Sequence, residues 1–137
     1  MRPIAAEAAR LGVPILMHDS TPPFSSPLQV AYLADQFPTL KVVLGHGGGK
    51  QYWRDAVAAL KRYPNCYLCL GWLPIVFDAI IAEVGAGQLT IHTDAGFGDD
   101  YSTQFRMEQI RAMASGLSEA DKEAIFWRNA SRLVGLA

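Results

Sequence analysis

Apolar residues recur along this chain in two alternating rhythms. Short runs rich in β-branched residues occupy positions 14–18, 41–45, 66–70 and 89–93 and predict strands. Between them apolar positions fall at helical spacing. Leu28, Tyr32, Leu33 and Phe37 share one face of a helix over 28–37, and Trp53, Val57 and Leu60 share one over 53–63. Residues 73–84 are mostly apolar and predict a well-buried helix; further helices are expected over 3–11, 105–114 and 129–136. Pro27 suits a helix start, Pro38 a stop, and Ser118 an N-cap.

The alternation makes four strand-then-helix units followed by extra C-terminal helices. His18 to His46 is 28 positions and His46 to Asp94 is 48, two units of 24. That repeat suits right-handed crossovers and hence a parallel α/β sheet. No stretch reads as a linker, so residues 1–137 are expected to form one domain.

Three of the runs end in residues that bind metals or move protons. His18 closes the first, His46 closes the second ahead of Gly47-Gly48-Gly49, and Asp94 closes the fourth. In a parallel sheet these tips share one end, where loops carry chemistry. A lone histidine is more often a hydrogen-bonded core residue, but three such tips together favour a site. A carboxylate at a buried tip is costly without a cation or donors. His92, two positions before Asp94, is expected on the same side of its strand, as a packing residue or an additional ligand. The glycines could bring backbone N–H groups to an anion or simply make a tight turn. An esterase oxyanion hole is excluded because no G-x-S-x-G nucleophile elbow exists.

Composition narrows the field. The 12 Lys and Arg against 13 Asp and Glu leave a net charge of −1, with no basic footprint for nucleic acid. No apolar run approaches the roughly 18 residues of a membrane span, and the N-terminus has no apolar signal core, so a cytoplasmic location is the default. Cys66 and Cys69 form a C-x-x-C, but on a strand they point to opposite faces, which favours two buried apolar residues over a redox or zinc pair.

With these motifs in order, the chain resembles the C-terminal half of the amidohydrolase-2 family, the branch of aminocarboxymuconate-semialdehyde-decarboxylase-like enzymes. The resemblance rests on Gly12-Val13-Pro14-Ile15-Leu16-Met17-His18, Val42-Val43-Leu44-Gly45-His46-Gly47-Gly48, Thr93-Asp94-Ala95-Gly96-Phe97 and the closing Asn129-Ala130-Ser131-Arg132-Leu133-Val134-Gly135-Leu136. It implies strands five to eight of a TIM barrel. It implies His18 and Asp94 as ligands of a divalent metal, zinc foremost, with His46 and Asp94 handling protons. The family chemistry is hydrolysis or nonoxidative decarboxylation of small, aromatic or carboxylate-bearing substrates. Trp72, Phe97 and Tyr101 sit near strand tips and fit such a ligand, with Gly47 and Gly48 beside it.

The chain departs from the pattern in two ways. The family draws two further ligands from an H-x-H motif, whereas the histidines here are 18, 46 and 92. A TIM barrel also needs about 200 residues or more. The rival expectations are a segment of a longer enzyme, a catalytically incompetent half barrel that self-associates, and an anion-binding module using Gly47–Gly49. His92 stands ready as a substitute ligand, and exposed sheet edges predict a homo-oligomer.

Overall fold

The computed structural model describes residues 1–20, 23–71, 73–96 and 100–136. Four parallel strands, β1 (Ile15–Met17), β2 (Val42–Leu44), β3 (Cys66–Cys69) and β4 (Leu89–Thr90), lie side by side in chain order. The register aligns Leu16 with Val43 and Tyr67, and Cys69 with Thr90. Helix α1 (Arg2–Leu11) precedes β1; α2 (Pro27–Gln36), α3 (Gly49–Arg62) and α4 (Phe77–Val84) make the crossovers; α5 (Asp100–Ala114) follows β4. The predicted units are all present. Ser26 caps α2 through a reciprocal exchange with Gln29, one residue before Pro27.

Alternation along the strands divides the sheet into two faces. Val42, Leu44, Cys66, Leu68 and Leu89 enter the main core with Ala31, Val57, Leu60, Phe77 and Ile80 from the helices. Val43 and Cys69 lie on the other face with Leu133 and the flank of Tyr67. Cys66 and Cys69 therefore point apart, as expected, and both thiols are free and buried. Burial pushes the Cys66 thiol up to about 12 and raises that of Cys69, so neither is poised for redox chemistry.

Three expectations are corrected. β4 ends at Thr90, three residues before the predicted limit, because it has a strand neighbour on one side only and its last bond is Leu70 N–H to the Thr90 carbonyl. The helix expected over 73–84 opens with a 3₁₀ turn, Pro74–Val76, and Val76 has φ −115°. Proline and two β-branched residues in succession delay the regular helix to Phe77. α3 begins one turn earlier than its apolar face implies, with a kink at Tyr52.

At the N-terminal ends of the strands, carboxamides tie successive units together. Asn65, just ahead of β3, donates to the carbonyls of Ala34, Phe37 and Leu40. Gln88, just ahead of β4, donates to Leu60, Tyr63 and Cys66. Beyond α5, α6 (Glu119–Glu123), a π-helical turn (Ala124–Arg128) and α7 (Asn129–Val134) run on from one another. From α7, Asn129 donates to Ala86 and Leu89 at 2.7 Å each, and Lys41 Nζ reaches back to the carbonyls of Arg132 and Leu133.

Candidate active site

The opposite end of the sheet gathers the titratable groups. Just past β1, the Asp19 side chain is fully buried, with 0 % of the residue exposed. Its carboxylate accepts three backbone N–H bonds, from His46 at 2.6 Å, Gly47 at 3.0 Å and Gly48 at 3.1 Å. Gly47, Gly48 and Gly49 all have positive φ, between 58° and 71°, a run that L side chains rarely adopt. A Cβ on Gly47 would stand 2.5 Å from a Leu68 methyl, and one on Gly48 2.8 Å from the Pro27 ring. The glycine-rich turn is thus both close-packed and filled: its amides donate to a carboxylate of this same chain rather than to an external anion. Burial raises the Asp19 carboxyl, while the three amide bonds and nearby His46 pull it down.

All three histidines of the chain meet at this end. The His18 and His46 rings are edge-on with centroids 4.7 Å apart, and the His46 and His92 centroids are 5.1 Å apart. Ser20 Oγ lies 3.0 Å from His18 Nε2. Burial is the main cause that lowers His46; the charge of His18 adds to it, and Asp94 and Asp19 oppose it. His92 is pushed down to about 4, again first by burial, then by His46 and Arg106, with Asp94 opposing. Both rings are therefore held toward the neutral imidazole that accepts a proton or a metal.

A cavity of about 620 Å³ opens beside these groups, lined among the described residues by His18, Ser20, His46, Gly48, Gly49, Lys50, Gln51 and Asp94. Three predicted site residues, His18, His46 and Asp94, thus border one space. Gly48 borders it too; Gly47 does not. His92 also stays off the wall: it packs against Gly71, and its Nε2 is buried with no hydrogen-bond partner among the described residues. Asp94 reaches the cavity from a left-handed turn, φ 58°, rather than from a strand end. Trp72 and Phe97, expected to touch substrate, lie outside the described residues. Sequence reasoning passed over Asp19, Ser20, Lys50 and Gln51. The first has a signal in hindsight, a carboxylate one residue past a strand tip facing a glycine turn rich in N–H donors.

The donors have the right chemistry for a divalent metal, but not a complete set. Among the described residues no three His, Cys, Asp or Glu side chains are grouped so as to hold a metal ion. A catalytic zinc site ordinarily takes three protein ligands. The described residues by themselves do not meet that requirement.

Comparison with known proteins places this geometry. Over 96 % of its length the chain superposes on an uncharacterised TIM-barrel protein from Bordetella bronchiseptica, with 21 % identity, a TM-score of 0.70 and 49 % of that protein covered. It matches 2,6-dihydroxybenzoate decarboxylase from Rhizobium at 25 % identity and TM-score 0.66, over 98 % of this chain and 55 % of the enzyme. It also matches a dihydroxybenzoic acid decarboxylase from Polaromonas, solved with manganese and the inhibitor 2-nitroresorcinol, at 21 % identity and TM-score 0.65, over 98 % and 53 %. The chain spans about half the length of these solved structures. No curated protein sequence matches it. The family model described as Amidohydrolase matches residues 1–136, and on that match, with half a TIM barrel behind it, this chain belongs to the amidohydrolase-2 family.

Proposed function

We propose that this chain supplies one side of the active site of a metal-dependent hydrolase or nonoxidative decarboxylase. The observation that carries the reading is the convergence of His18, His46 and Asp94 on one cavity, on the side of the sheet toward which the parallel strands run. His18 and Asp94 are the donors the chain offers toward a divalent ion; zinc and manganese are the two to test. When bound, that ion polarises a substrate oxygen or lowers the pKa of water. Among the described residues these two donors do not make up a full ligand set.

His46 is the group suited to proton traffic. Its ring borders the cavity, and burial holds it toward the neutral form. In hydrolysis it takes a proton from an attacking water; in decarboxylation it first takes a proton from solvent and, as the imidazolium, passes it to the ring carbon that CO₂ leaves, returning to the neutral form. Lys50 brings a cation to the same wall and matches a carboxylate-bearing aromatic substrate of the kind named for the decarboxylase relatives. The reading is tested by titrating the chain with zinc and with manganese, alone and with 2,6-dihydroxybenzoate. Weak binding lost in both His18→Ala and Asp94→Ala supports it. Binding unchanged in both variants overturns the ligand assignment.

A further inference from the structure

We infer that Asp19 is the positioning residue for His46. It acts through the backbone of the glycine turn and touches nothing in the cavity. Two observations converge on it. The first is the carboxylate itself, fully buried and spending both oxygens on three successive amides of residues 46–48. The second is the turn, whose three consecutive left-handed glycines have no intrinsic preference for that shape over many others. Left alone, such a segment samples widely; a fixed triple acceptor selects one arrangement, and the shortest of its bonds, 2.6 Å, is to His46 itself. The remaining amide of the turn, Gly49 N–H, bonds the His46 carbonyl at 3.0 Å, closing the loop on the same residue. The imidazole is thus held between a backbone pinned from below and the rings of His18 and His92 at its sides. The role matters for catalysis only if His46 moves protons as proposed above, but the positioning can be measured without any reaction.

The experiment compares the ¹⁵N-labelled chain with Asp19→Asn, which keeps the shape and turns one acceptor into a donor facing an N–H. Expected are a tenfold or greater rise in amide exchange at Gly47 and Gly48, a shift of the His46 ring resonances, and exchange at Val43 and Leu68 within twofold of the parent. An unchanged His46 ring overturns the inference. So does a uniform rise across the chain, which makes Asp19 a general stabiliser. If Asp19→Asn does not fold, Gly49→Ala serves: its Cβ meets only Ser20 Cβ at 4.0 Å, so it strains the turn while leaving the carboxylate in place. Moved His46 ring signals then support the linkage, and unmoved ones refute it. Metal binding by the parent chain that is unchanged in both His18→Ala and Asp94→Ala would overturn the ligand assignment of the proposed function and leave this result standing.

Discussion

Gly71 and His92 approach so closely that no side chain fits between them. A Cβ on Gly71 would lie 2.2 Å from the His92 carbonyl oxygen and 2.6 Å from its ring. Since His92 in turn abuts His46, this contact sets the depth of the whole histidine row. Gly71→Ala is expected to cost about 2–3 kcal/mol, because backbone and ring must both yield. Urea melts of parent and variant measure it; coincident midpoints would mean the contact is soft.

Acid should weaken the fold through His92. Its folded-state value near 4 lies below the usual 6.5, so as pH falls from 6.5 the unfolded chain takes up the proton and the folded chain does not. Stability is therefore full above about pH 6.5 and declines below it. Asp19, raised by burial, acts with the opposite sign near pH 4, so the cleaner window is 6.5 to 5. A loss of about 1 kcal/mol is expected there, after discounting for partial solvent contact. His92→Gln should reduce that slope, leaving the part that His46, also lowered by burial, contributes with the same sign; an equal slope in the variant would assign it wholly elsewhere.

Neither cysteine should react with a thiol reagent in the native state. Both are buried, and burial raises both thiols, Cys66 to about 12. Two equivalents should titrate in guanidinium. Rapid labelling of one cysteine under native conditions would show that its face of the sheet opens.

Association is expected in solution. β1 and β4 are edge strands, and on β1 the Leu16 side chain is 64 % exposed while its register partner Val43 is buried. Ile4 and Leu11 on α1 and Val13 in the turn after it are exposed apolar residues as well. Light scattering should give a mass above the 15.0 kDa of one chain. A monodisperse species of that mass, unchanged on Leu16→Lys, would refute the idea that this edge is sticky.

Local signals in the sequence located most of the architecture. Each strand is a compact β-branched or apolar run, and each crossover helix has a one-sided face, so order and parallel topology followed. What local pattern missed depends on distant partners. β4 is short because pairing is one-sided, which no property of Ile91 or His92 records. Asp19 looks like a loop charge until the turn 27 residues later is folded against it. The placement of His46 beside His92 needs Gly71, a residue with no chemistry of its own. That His18, His46 and Asp94 lie at one end was legible because strands of a parallel sheet run one way; that Asp94 gets there through a left-handed turn beyond β4 was not.

The carboxamide ties of Asn65, Gln88 and Asn129 have a consequence for how this molecule tolerates change. They sit at the end of the sheet away from the histidines and join each unit to the one before it, carbonyl by carbonyl. Asn65→Leu should therefore cost about 2–3 kcal/mol by orphaning several buried carbonyls, and yet leave the His46 ring undisturbed. The carboxamide ties and the histidine row thus occupy opposite poles of the same short strands. Substitutions at the cavity mouth, at Gln51 for example, leave those ties untouched, so that end can vary on an unaltered base.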